Sequence, residues 1–275
     1  MTTGGRTEER ADGRTAEVPD RTTAPPAWEL MVDTRGRPGA ENMAVDWALL
    51  RAAQEGSAFL RLYRWDPPCL SFGRHEPACA RYDRERIAAL GLATVRRPTG
   101  GRAVWHAHEV TYAVAAPTEM FGSLQEAYIA IHRLLAGALR QLGADVALAA
   151  RTERPMGPGA GACFAAPVGG EIVSGGRKLV GSAQVREGRA LLQHGSILLQ
   201  DGQDVVSRVT RRQALPSAAT SLTTVLGRPV TFTEVADAIA AQAQSTWAGP
   251  WERADVDPTP DDLRRFGDDA WTWRR

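Results

Sequence analysis

Glu171-Ile-Val-Ser-Gly-Gly-Arg-Lys-Leu-Val-Gly-Ser-Ala-Gln-Val-Arg-Glu-Gly-Arg-Ala-Leu-Leu-Gln-His-Gly-Ser-Ile-Leu-Leu199 is a chain of short apolar pieces cut by turn residues. Gly175-Gly176 and Glu187-Gly188 are dipeptides that accept the positive φ of tight hairpin turns, and Gly195 makes a further break. The spacing predicts strand, turn, strand, turn, strand and another strand after Gly195, an antiparallel meander.

Working outward from the meander, helices and strands alternate irregularly. Trp28-Glu-Leu-Met-Val-Asp33 reads as an opening strand, and Glu41 to Gln54 reads as a helix with Met43, Trp47 and Leu50 at i, i+4 and i+7 and Gly56 just past its end. Phe59 to Trp65 alternates as a strand that Pro67-Pro68 ends. Asp83 to Leu90 is a short helix stopped by Gly91, with a strand at Ala93 to Arg97. Ser123 and Glu126 predict a capping box opening a long helix to Leu142, and Thr231 to Trp247 forms a further helix. The fold class is therefore α+β, a large mixed and mostly antiparallel sheet flanked by helices in one domain. Residues 1–26, rich in Thr, Arg, Glu, Gly and Pro, read as a disordered tail, and 249–275 as a C-terminal extension with a helix start at Thr259-Pro-Asp-Asp262. That extension either packs on the domain or serves as a docking surface.

The chain has 275 residues, 43% of them hydrophobic, and a formal net charge of +1. So small a charge leaves no broad electrostatic footprint for nucleic acid or an anionic membrane, and no apolar run approaches the roughly 18 residues that span a bilayer. Cys69, Cys79 and Cys163 are odd in number and irregularly spaced, which argues against a disulfide framework or a zinc cage and fits a reducing cytoplasm. No pair among His75, His106, His108, His132 and His194 has ligand spacing, so no metal site is expected.

Three places can carry chemistry. In Arg96-Arg-Pro-Thr-Gly-Gly-Arg-Ala-Val-Trp-His106, Gly100 and Gly101 allow close backbone approach by a ligand while Arg96, Arg97 and Arg102 can receive a phosphate or carboxylate; the alternative is a hairpin turn with solvated arginines. Lys178 sits just beyond a turn, where it either faces water or points an ammonium into a pocket to stabilise an oxyanion or a thiolate. Cys163 lies in the loop Gly157-Pro-Gly-Ala-Gly-Ala-Cys-Phe-Ala-Ala-Pro167, which suits an exposed thiol that a cation such as Lys178 can ionise, or a loop cysteine without a role. His132 on the long helix reads as structural or solvated, and His106 and His194 can line a pocket.

Together, Asn42-Met-Ala-Val-Asp46, Leu70-Ser-Phe-Gly73, Arg96 to His106, Gly176 to Gln184 and Gln193-His-Gly-Ser-Ile-Leu198 resemble the lipoate-protein ligase, octanoyltransferase and biotin-protein ligase superfamily over Trp28 to Trp247. Ala162-Cys-Phe164 is similar to the nucleophile loop of the cysteine-dependent octanoyltransferases. The resemblance implies a catalytic domain over 27–248 with a fold like that of class II tRNA synthetases and biotin ligases. It implies Cys163 as nucleophile and Lys178 as the pocket lysine. It implies substrate binding by Arg96, Arg97, Thr99, Gly100, Gly101, His106, Gly181, Ser182, Ala183 and His194, with the loop glycines lining an acyl pocket. Where the family has His-Asp this chain has His106-Ala107, so no role for that acidic group carries over. The implied reaction moves octanoyl from acyl carrier protein to the lysine of a lipoyl domain, in proteins such as glycine cleavage H protein or 2-oxoacid dehydrogenase E2 subunits. On this reading no cofactor, nucleic acid or membrane is expected to take part. Rival readings are an ATP-dependent lipoate ligase, an amidotransferase between lipoyl domains, and a non-catalytic module that binds lipoyl domains or acyl groups.

Overall fold

The computed structural model describes residues 1, 27–150, 169–211 and 217–274. Its first elements are β1 (Trp28–Arg37), α1 (Gly39–Gln54), β2 (Ala58–Trp65), β3 (Cys69–Phe72), α2 (Ala78–Arg81) and α3 (Arg84–Ala89). Next come β4 (Ala93–Arg96), β5 (Val104–His106), β6 (Glu109–Pro117), α4 (Leu124–Gln141) and β7 (Ala147–Leu148). Beyond residue 168 lie β8 (Ile172–Ser174), β9 (Arg177–Lys178), β10 (Val180–Glu187) and β11 (Ala190–Leu198). The chain ends with α5 (Asp204–Val209), α6 (Leu222–Leu226), α7 (Phe232–Thr246), β12 (Trp251–Arg253), α8 (Pro260–Gly267) and α9 (Asp269–Thr272). The expected tail, within residues 2–26, and Cys163 fall outside the described residues.

Six strands form the central sheet in the order β10-β11-β6-β2-β1-β12. The pairs from β10 to β2 are antiparallel, and β1 runs parallel to both β2 and β12. The sheet is thus mixed and mostly antiparallel, as expected. Side chains on β2 alternate: Leu60 and Leu62 join a core beneath α4 and α7, while Phe59 and Tyr63 join a second core beneath α1.

The meander is corrected in two respects. Gly175 and Gly176, with φ of 53° and 74°, turn β8 into β9, but that hairpin belongs to a separate small sheet with β7. The chain leaves it at Leu179 and enters the central sheet as β10, paired with β11 rather than β9. Nor does Gly195 end a strand, since β11 runs through it to Leu198. A Cβ at Gly195 would lie 2.5 Å from the Gly181 carbonyl oxygen and 2.8 Å from the Tyr112 ring, so the glycine answers to crowding instead of turning.

Helix ends follow their caps. Ser123 and Thr231 accept the backbone N–H of Glu126 and Glu234 respectively, and Thr259 with Asp262 forms a reciprocal capping box. On α1 burial extends well beyond the expected stripe, because α8 covers its outer side and Arg51 holds Asp262 by two hydrogen bonds of 2.7 and 2.6 Å. Residues 249–274 pack on the domain: β12 extends the central sheet and the final segment is tied to Arg96.

Candidate active site

Where the loop after β4 approaches the β10–β11 pair, a narrow cleft opens to solvent. Its walls come from α1 (Met43), β2 (Tyr63, Trp65), Arg97, β5 (Val104, His106), β6 (Thr111), β10 (Gly181, Ser182, Ala183) and β11 (His194, Gly195, Ser196). Apolar surface from Met43, Trp65, Val104 and Ala183 faces polar tips, the composition of a ligand pocket.

Arg97 shapes the rim. It is buried, its Nη2 donates to the carbonyls of Gly100 at 2.9 Å and Arg102 at 2.7 Å, and its Nη1 donates to Ser71 Oγ at 2.9 Å. The guanidinium therefore folds the glycine loop. Gly101 adopts φ of 90°, and an added Cβ there would press on the Arg97 guanidinium at 2.8 Å.

Three histidines sit behind or along the walls, each in hydrogen-bond contact with at least one hydroxyl. Asp46 Oδ2 accepts from His194 Nδ1 and from the Tyr63 hydroxyl, both at 2.8 Å, while Arg61 Nη1 donates to Oδ1 at 2.8 Å. Burial opposes charge on Asp46, but His194 and Arg61 outweigh it and hold its carboxyl below the ordinary value. Burial pushes His194 down, Asp46 partly offsets this, and Arg97 and His106 add to it. A neutral ring donating from Nδ1 leaves Nε2 to accept from Thr99 Oγ1, 2.6 Å away.

The second, His106, stacks on Trp65 with ring centroids 4.0 Å apart. Its Nδ1 meets Glu109 Oε1 at 2.7 Å and its Nε2 meets Ser71 Oγ at 2.7 Å. The third, His132, is buried rather than solvated. Its Nδ1 donates to the Gly170 carbonyl at 2.6 Å, so Nε2 accepts from Ser182 Oγ at 2.7 Å. Burial pushes the His132 pKa down to about 4; the hydrogen bond to the Gly170 carbonyl partly opposes this and Lys178 adds a smaller repulsion. Tyr112 and Gln193 complete this network, which aims the Ser182 hydroxyl from the cleft wall.

Lys178 points inward and its Nζ lies 2.7 Å from Glu171 Oε1, with side chains only 1% and 4% exposed. Glu171 was not singled out from the sequence; a lone acid at the start of a strand carries no spacing signal. Of the residues expected to bind substrate, Arg97, His106, Gly181, Ser182, Ala183 and His194 border the cleft. Thr99 sits one layer behind, on His194, and Gly100 and Gly101 form the rim loop without lining the cavity. Arg96 donates its guanidinium to the carbonyls of Gly73, Glu76, Thr272 and Arg274 at 2.7 to 2.9 Å, so it clamps the C-terminal segment and is not among the residues that border the cleft. Met43, Tyr63, Trp65, Val104, Thr111, Gly195 and Ser196 are walls the sequence reading missed as such. Among the described residues no His, Cys, Asp and Glu side chains gather as a metal site, and no helix is long and apolar enough to cross a membrane.

Fold and cleft together define a class: an α+β domain with a narrow, partly apolar cleft between a glycine loop and an antiparallel strand pair, and a buried lysine in the adjoining hairpin. Residues 38–244 match the lipoyl protein ligase A/B catalytic domain, and the chain belongs to that family. An octanoyltransferase LipM of Kyrpidia tusciae is 39% identical over 272 residues, covering 90% of this chain and 99% of that one. A second, of Symbiobacterium thermophilum, is 38% identical over 231 residues, 78% of this chain and 84% of its own. A lipoate-protein ligase A solved with ATP shares the fold at a TM-score of 0.72 and 21% identity, over 89% of this chain and 98% of that one. A bipartite lipoate protein ligase of Thermoplasma acidophilum does so at 0.65 and 21%, over 91% and 96%.

Proposed function

We propose that this protein is an octanoyltransferase of lipoyl cofactor biosynthesis. It takes octanoyl from acyl carrier protein onto Cys163 as a thioester and passes it to the lysine of a lipoyl domain, such as that of glycine cleavage H protein or a 2-oxoacid dehydrogenase E2 subunit, in the cytoplasm. The observation that carries the reading is the narrow cleft, whose mostly apolar walls suit a short acyl chain. The relatives named octanoyltransferase direct the choice among acyl groups. Burying six methylenes and a methyl at about 0.8 kcal/mol each contributes roughly 5 to 6 kcal/mol before ordering costs.

In the first step the Cys163 thiolate attacks the donor thioester carbonyl, a C–S bond forms, and the donor thiolate leaves. In the second the lysine amine attacks, a C–N bond forms, the C–S bond to Cys163 breaks, and nitrogen loses a proton. Splitting the reaction this way is covalent catalysis, and thioester to amide runs downhill without ATP. Lys178 supplies positive charge to the thiolate and the oxyanion, with Glu171 holding its ammonium.

Intact mass spectrometry after incubation with octanoyl-acyl carrier protein, without ATP, tests this. A hydroxylamine-labile octanoyl adduct on wild type and none on Cys163→Ala, transferable to an apo lipoyl domain, is the expected result. Lipoylation that requires ATP and lipoate and survives Cys163→Ala would make the protein a ligase instead.

A further inference from the structure

Where the C-terminal extension packs on α1, cations and aromatic rings alternate in one stack. The Cζ of Arg265, on α8, lies 4.5 Å from the ring centroid of Trp47 and 4.3 Å from that of Trp271, and the Cζ of Arg274 lies 3.7 Å from the Trp271 ring. All four residues are half-buried, so the stack is held in place yet keeps surface toward solvent. Arg74 stands beside it, its carbonyl accepting from the Arg274 guanidinium at 3.0 Å.

The positive charge of Arg265 is not cancelled by its neighbours. Among the described residues it has ring faces but no carboxylate within ion-pair distance. Burial first, then repulsion from Arg74, lower its pKa from the ordinary value against weaker attraction from Asp262 and Glu187. Asp262 is already held by Arg51, and Glu187 by Arg74 at 2.8 Å. Tryptophan and arginine on a rigid, partly exposed surface are the residue types that anchor protein interfaces, and an uncompensated guanidinium selects an acidic partner.

The patch adjoins the rim of the cleft. The Arg74 amide donates to the Thr99 carbonyl at 2.7 Å, and Gly73 packs on Gly101 too closely for a Cβ to fit between them. Glu187 is four residues along β10 from Ala183 in the cleft wall, roughly 13 Å at the rise of a strand. A lysine presented by a domain seated on the patch is too short to cross that distance. The phosphopantetheine arm of a carrier protein spans it.

We propose that the stack of Trp47, Arg265, Trp271 and Arg274, with Arg74, is the docking face for the acyl donor, a carrier protein whose acidic surface sits on the arginines while its arm carries the thioester to the cleft. The inference rests on the octanoyl-transfer reading, and it gives the C-terminal extension a part in recognition as well as in packing.

Fluorescence anisotropy on the full chain, with labelled octanoyl-acyl carrier protein and in parallel with a labelled apo lipoyl domain, tests this. Arg265→Glu is expected to weaken donor binding by about tenfold or more and to flatten its salt dependence, while lipoyl-domain binding stays within about twofold. Glu187→Gln removes the carboxylate that Arg74 holds and should tighten donor binding by about threefold, a gain that misfolding does not mimic. Donor affinity unchanged in both variants, equal weakening of the two partners, or no measurable donor binding to wild type overturns the proposal. So does a loss confined to the lipoyl domain, which would make the patch a site for the acceptor. If Arg265→Glu does not fold, Glu187→Gln decides, and donor binding that stays or weakens there overturns the proposal. Wild type that acquires no octanoyl in the mass measurement would refute the functional reading itself, a result separate from all of these.

Discussion

Asp46→Ala removes one carboxylate on which three buried groups converge. Arg61 has no exposed side-chain surface and would lose its partner at 2.8 Å, with Asp33 next at 3.6 Å. Stranding one member of a buried pair costs about 3 to 5 kcal/mol, and the Tyr63 hydroxyl and His194 Nδ1 each lose an acceptor for about 1 kcal/mol more, partly overlapping. Approach of Asp33 recovers a fraction, so the net loss is expected near 4 kcal/mol. For a chain of this size that corresponds to a fall in Tm of about 8 to 16 °C, readable by calorimetry. The double variant Asp46→Leu with Arg61→Met should lose less than Asp46→Ala alone, because removing both charges leaves neither orphaned. A single-variant loss below about 1 kcal/mol, or a double worse than the single, would refute the reasoning by showing that water already screens the pair.

Acid should weaken the fold through His132. Its folded pKa of about 4 lies below the ordinary 6.5, so between those values the unfolded chain binds a proton that the folded one does not. The group's contribution is complete above pH 6.5 and falls by about 3 kcal/mol as pH drops to 4, and His132→Phe should flatten the urea midpoint over that window. Gly195→Ala should cost about 1 to 3 kcal/mol and reduce acyl loading, since its Cβ would meet the Gly181 carbonyl oxygen at 2.5 Å and force β10 from β11; unfolding midpoints and adduct yield check this together. Arg96→Ala should release the segment 271–274, where it holds the carbonyls of Trp271, Thr272 and Arg274, giving hydrogen exchange there at least about tenfold faster while α4 is unaffected.

How much was legible depended on how local the cause was. Helix starts at Ser123, Thr231 and Thr259 and the double-glycine turn at Gly175 and Gly176 were readable because a cap or a positive φ is set by residues within one turn. Gly195 misled for the same reason: a glycine in a strand looks like a break, whereas its cause is the approach of Gly181 and Tyr112 from other strands. Arg96 and Arg97 are adjacent and chemically identical, yet Arg96 ends β4 while Arg97 opens the loop after it, and they find different partners. One clamps the C-terminal carbonyls and the other folds the rim of the cleft.

The sequence by itself determined the α+β class, the positions of most elements, and the family motifs that hold His106, Lys178 and His194. These depend on periodicity, capping and turn chemistry, which act over a few residues. Tertiary structure alone decided which of those residues share a cleft, that Glu171 pairs with Lys178, and that Asp46 stands behind His194 from 148 positions away. Such pairings arise when strands and helices remote in sequence close on one another, and a buried charge or hydroxyl must then find its partner wherever the fold brings one.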